Sequence, residues 1–143
     1  MFSNSLIQAK RDGDVVDIDG VSTLSLNVPT NNYYVVINHR NHLGIMSATP
    51  LSLSSIPTIV DCTSNTANIY GGSNAVKEVN GTFTMIGGDY DINGQIQNTD
   101  LAAIIQNLGG AGYSKADLDM NEQIQNTDIN IIMNPNIGKG QQF

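Results

Sequence analysis

Two stretches of this chain set oxygen-bearing side chains at the same spacing. The first holds Asp89, Asp91, Asn93, Gln95, Gln97 and Asp100; the second holds Asp117, Asp119, Asn121, Gln123, Gln125 and Asp128. Calcium takes about six to eight oxygens, and a short loop can supply them from positions 1, 3, 5, 7, 9 and 12. In that scheme the first three residues of each set ligate through side chains. Gln95 and Gln123 offer backbone carbonyls, and Gln97 and Gln125 act directly or through water. Asp100 and Asp128 close the loops with a carboxylate. Three carboxylates per loop leave about one negative charge uncompensated by a divalent ion. One such copy is also explained by Asx-rich turns, with Asp100 or Asp128 capping a helix. Nine of the twelve positions are identical between the copies, in the same register, and that repetition points to two Ca2+ sites. Position 6 differs, being Gly94 in one copy and Glu122 in the other. A left-handed backbone is expected there, so the first loop is expected to bind more tightly.

The loops recur with a period of 28 residues, and the segment after each loop should position it. Leu101, Ile104, Ile105 and Leu108 have helical spacing, with a stop at Gly109-Gly110. Ile129–Met133 reads as a shorter helix ended by Asn134-Pro135. Ile96 and Ile124 stand at position 8, where paired loops usually join through a small β-bridge. Upstream of Gly87 the chain reads as short strands separated by turns. They are Ser5–Lys10, Val15–Ile18, Thr23–Val28, Tyr33–His39, Leu43–Met46, Thr58–Asp61, Ala75–Val79 and Thr82–Ile86. Tyr33–His39 is apolar on both faces and reads as a central strand. The expectation is a mainly β fold. Residues 1–86 would form an Ig-like β-sandwich, and residues 87–143 a small α-helical pair of EF-hand-like calcium loops.

Only 13% of the 143 residues are charged, and the net charge is −7. Six loop aspartates carry most of it; without them the net charge is −1. The acidity is therefore local and suits cations, whereas a nucleic-acid partner would need a Lys/Arg cluster that the chain lacks. Cys62 is the single cysteine, so no intrachain disulfide forms, and it reads as a small strand or core residue. No run is long enough to insert in a membrane. Met1–Lys10 has neither a basic nor an apolar signal-peptide region, so an exported form would be mature or a fragment.

Asp at position 12, a helix directly after it and a paired copy resemble the dockerin-type repeats of exported bacterial proteins. Arg11-Asp-Gly-Asp-Val-Val-Asp-Ile-Asp-Gly20, Asn32-Tyr-Tyr-Val-Val-Ile-Asn-His-Arg-Asn-His-Leu-Gly44 and Ala48-Thr-Pro-Leu-Ser-Leu53 resemble a C-terminal β-domain of Bacteroidota surface proteins. Calcium-loop repeats come after that domain in the family, and Asn136-Ile-Gly-Lys-Gly140 looks like their closing segment. The resemblance covers nearly the whole chain. It implies an extracellular, cell-surface setting and no enzymatic activity. Relatives carry an extra apolar strand before the segment matching Ser5–Lys10, which implies truncation or completion of the sheet by a neighbouring molecule.

Asp12, Asp14, Asp17 and Asp19 read as turns bracketing a strand, ahead of a third cation site. His39 and His42 are expected to face different ways in a hydrogen-bonded turn with Arg40 and Asn41, not to share a metal. Tyr33 and Tyr34 read as packing residues before sugar-stacking ones. No nucleophile–base pair or phosphate loop emerges, so the protein is not expected to be an enzyme. Three classes remain: a self-assembling subunit of a surface fibre joined head to tail by strand addition, an adhesion or glycan-binding module, and a docking module for a cohesin-type partner through Asn98-Thr99 and Asn126-Thr127. Asn80-Gly-Thr82 is a formal glycosylation sequon.

Overall fold

The computed structural model describes residues 29–143. The strands expected at Ser5–Lys10, Val15–Ile18 and Thr23–Val28, and the group Asp12, Asp14, Asp17 and Asp19, lie outside the described residues. Within them the chain is mainly short antiparallel strands, with few helices. β1 (Asn31–Tyr33) pairs with β4 (Leu51–Leu53), and β2 (Val36–Ile37) with β3 (Ile45–Met46), nested inside it. β5 (Val76–Val79) and β6 (Thr82–Met85) form a hairpin.

Tyr33–His39 is not one central strand. β1 ends at Tyr33 and β2 covers Val36–Ile37, while Tyr34 and Val36 are 54% and 43% exposed. The break has a local cause at Val35. Its N–H donates to the Ser47 hydroxyl at 3.1 Å, and its carbonyl accepts the Ser47 N–H at 2.9 Å. A side-chain oxygen has replaced a ladder carbonyl, so regular pairing stops there. Thr58–Asp61 forms no strand either. The Asp61 carboxylate accepts the Thr63 and Ser64 N–H groups, an Asx-type arrangement that competes with sheet pairing.

Two apolar clusters hold the fold. Ile45, Ile69, Ala75 and Val76 form one, with Cys62, Phe83 and Met85 against it. The other joins Leu43 and Ile86 to Ile96, Ile104, Ala116, Leu118, Ile124 and Met133. Leu43 and Ile86 come from the strand-rich part, so the loops and the strands share this core.

Helix α1 runs Asn98–Gln106, starting earlier than its apolar spacing implied. Past its end at Gln106 the chain turns at Gly109, whose φ of +83° glycine adopts most readily. The second helix does not end at Asn134-Pro135. A π turn, Asp128–Met133, runs into the short α2 (Asn134–Asn136), with the Asn134 N–H donating to the Ile129 carbonyl. The duplicated sequence explains the widened turn. The loops repeat every 28 residues, whereas Gly109 and Gly138, both left-handed at the helix ends, stand 29 apart. So do the buried Ile104 and Met133. From loop start to closing glycine the second repeat holds one residue more than the first, and a π turn absorbs a single inserted residue.

The two loops are not bridged to each other. Gln95 bridges Gly140, and Gln123 bridges Ala111. The segment after α1 therefore closes the second loop, and the segment after α2 closes the first. Gly109 N–H donates to the Ile124 carbonyl and Ile124 N–H to the Gly110 carbonyl, both at 2.9 Å. Gly138 N–H donates to the Ile96 carbonyl at 2.8 Å, and Ile96 N–H to the Lys139 carbonyl at 2.9 Å. Ile96 and Ile124 are buried by this crossed closure.

Candidate metal centre

The two loops fold alike, atom for atom in their main hydrogen bonds. Asp89 accepts the Asn93 N–H through Oδ1 and the Gly94 N–H through Oδ2, each at 3.0 Å. Asp117 does the same with Asn121 and Glu122, again at 3.0 Å. Asp100 reaches back to the Gln97 N–H at 2.8 Å and to the Tyr90 and Asp91 N–H groups at 2.9 and 3.2 Å. Asp128 repeats this with Gln125, Leu118 and Asp119 at 2.8, 2.7 and 3.2 Å. Asp100 is thus the third residue of α1, not its cap, and ties the helix start to the loop start. Asn93 and Asn121 accept the Gln95 and Gln123 N–H groups.

The result is two matched acidic cups. In each, ligand oxygens of the three carboxylates lie within 4.8 Å of one another: Asp89, Asp91 and Asp100 in one, Asp117, Asp119 and Asp128 in the other. The first and last aspartate of each set are buried, and the middle one is exposed. Among the described residues no backbone N–H donates to the Gln95 or Gln123 carbonyl, which leaves both available as a seventh-position ligand. Gln97 and Gln125 are exposed, and each donates its side-chain amide to the side chain of Gln95 or Gln123. Oxygen-only donors of this kind fit a hard divalent ion.

Burial pushes the Asp89 carboxyl above its ordinary value, and the charges of Asp100 and Asp91 add to this against the Gly94 and Asn93 N–H bonds. Burial likewise raises Asp119, with Asp128 and Asp117 beside it.

Position 6 is left-handed in both loops, at φ +82° for Gly94 and +70° for Glu122. Position 4 is left-handed as well, at +63° for Ile92 and +60° for Met120. Spacing did not reveal this second turn, because neither residue type favours it.

The turn His39–His42 departs from expectation in one respect. The His39 and His42 rings do not face different ways; their Nδ1 atoms share a 2.8 Å hydrogen bond. The His42 N–H donates to the His39 carbonyl at 3.1 Å, which makes the expected hydrogen-bonded turn. Burial first, then the His39 and Arg40 charges, lower His42 to about 4. Arg40 donates to the Asp117 carbonyl at 3.1 Å and lies 3.8 Å from its carboxylate. Its guanidinium stacks on Tyr113, 4.0 Å from the ring centre. The Asn136 amide is a further tether, donating to the Gly87 carbonyl at 2.9 Å. These contacts join residues far apart in the chain, so no local pattern marks them.

Cys62 is a half-buried free thiol in no strand, pushed up by burial and by Asp61. Among the described residues no helix is long and apolar enough to cross a membrane. In comparisons with protein-family models, curated proteins and solved structures, the chain matches none.

Proposed function

We propose that this is an extracellular calcium-binding structural protein, with one Ca2+ in each loop. The observation that carries this reading is the geometry of two carboxylate cups built bond for bond alike. In it, residues 1–86 form a β-sandwich that includes the three strand pairs, and residues 87–143 are the tandem calcium repeats. Calcium acts as a stiffener, not a catalyst. It neutralises the crowded aspartates and, through Asp100 and Asp128, fixes both helix starts. The protein is a subunit of a bacterial surface fibre, joined head to tail to copies of itself by strand addition. The exposed apolar Val36 and Ile37 of β2, with Tyr34 just before them, support that reading, because such edges invite pairing.

Calcium is expected to raise the melting temperature, since it binds the folded loops. Asp89→Ala together with Asp117→Ala should abolish the rise. Identical melting curves in chelator and in calcium for the unmodified protein would end the calcium reading. Negative-stain images of the native material should show filaments; single particles would end the fibre reading and leave calcium untouched. Docking to a cohesin-type partner is a second reading, favoured by the exposure of Asn98-Thr99 and Asn126-Thr127 at the same place on both repeats.

A further inference from the structure

Asn41 touches the first residue of both loops. Its carbonyl accepts the Gly88 N–H at 2.8 Å and the Asp89 N–H at 3.1 Å. Its side-chain amide donates to the Lys115 carbonyl at 2.9 Å and to the Asp117 carbonyl at 3.2 Å. Asn41 is 0% exposed, and its Oδ1 has no partner among the described residues. A buried polar atom without a partner is costly, and the side chain keeps that cost while aiming its amide at the second loop. Arg40, beside it, bonds the same Asp117 carbonyl. The loops share no bridge of their own, so this residue is a direct polar link between their first aspartates.

We propose that Asn41 couples the two sites, so that an ion in one loop raises the affinity of the other. This rests on the calcium reading above. An ion drawn to the Asp89 carboxylate orders the residue whose N–H is bonded to the Asn41 carbonyl. Ordering Asn41 holds its amide on Asp117 and prepares the second loop before its own ion arrives. The second ion then meets less disorder, which is cooperativity without a change of shape. Coupling must be equal in both directions. Asn41 is a positioning residue, not a ligand.

The test is calorimetric titration of the full chain with calcium alone. Asp91→Ala and Asp119→Ala each leave one working loop and give its affinity in isolation. The unmodified protein should exceed the product of those two constants by about ten-fold, within the usual range for allosteric coupling. Asn41→Ala should remove that excess while each isolated constant stays within about two-fold. An unmodified protein that matches the product, or an Asn41→Ala protein that retains the excess, overturns the proposal.

Should Asn41→Ala fail to fold, amide exchange in Asp119→Ala decides. Filling the first loop should slow exchange at Asp117 and Leu118 in the second, and unchanged rates there overturn the coupling. Loss of coupling alone leaves the calcium reading standing. No binding at all in the unmodified protein removes both.

Discussion

At Glu122 the backbone stands at φ +70°, where a side chain crowds the following carbonyl, and at Gly94 it stands at +82° without that penalty. The difference amounts to about 1 kcal/mol. Glu122→Gly should tighten the second site by roughly five-fold, and Gly94→Glu should weaken the first by a similar factor. Calorimetry giving two equal sites indifferent to both changes would refute the backbone argument. Of the twelve predicted loop positions, the structure gathers the six aspartates into the two cups. The cup residues Asp89, Asp91 and Asp100 were readable from spacing. The amide bonds of Gln97 to Gln95 and of Gln125 to Gln123 were not, since spacing says nothing of side-chain direction. The roles of Arg40 and Asn41 stayed hidden for another reason: their side-chain partners Tyr113, Lys115 and Asp117 lie far along the sequence.

At the scale of elements, the single extra residue in the second repeat can be tested by removing it. Ile131 is exposed within the π turn. Deleting it should give a regular helix like α1, with Met133 taking the place Ile104 has in the first repeat. The melting temperature should stay within about 5 °C, and a collapse of calcium binding at the first loop would refute the insertion account. The β5–β6 hairpin shows how local chemistry makes an element legible. Asn80-Gly81 has φ of +51° and +80° between the two strands, the two-residue turn that Asn-Gly favours; the glycosylation sequon falls on that turn. The Tyr33–His39 strand misled because a hydroxyl from Ser47 breaks its ladder, and no pattern within the strand can show that.

Acid acts on the same elements in opposite directions. The folded values of Asp89 and Asp119 are raised above 3.8, so their contribution is full below that pH and is lost as pH rises through the folded values. The folded values of His39 and His42 are lowered, so theirs is present above 6.5 and is lost as pH falls, for His42 through about 4. The histidine effect is common to the chelated and calcium-bound protein and cancels in their difference. The calcium-induced rise in melting temperature should therefore be smaller at pH 4 than at pH 7, as protons compete for the cups. A rise that stays constant over that range would contradict the raised carboxylates.

For the whole molecule, the shared core sets how far the two parts can act alone. Leu43 is buried among Ile96, Leu118 and Met133 of the repeats. Leu43→Ala should cost about 2–5 kcal/mol and lower the stability of strands and loops in one transition. Two separate melting steps, with only one affected, would show the parts to be independent. The core also bears on assembly. Gly138, Lys139 and Gln141 are bonded to the first loop, so Ile137–Phe143 is already engaged at home. Donating that segment to a neighbour would open the first loop, so the proposed fibre is expected to use Met1–Lys10 as its donor.

The crossed closure also sets an order of events in time. The second loop is sealed by Gly110 against Ile124, a short separation, whereas the first waits for Lys139 and Gln141. Closing the longer span costs about 1 kcal/mol more in chain entropy. As the chain is synthesised, the first loop is made earlier yet finished later. The second loop can close while the chain still grows, and the arrival of Gln141 completes the first. A chain interrupted before that residue would carry one sealed cup and one open one, a molecular record of whether its synthesis had reached the end of the repeat.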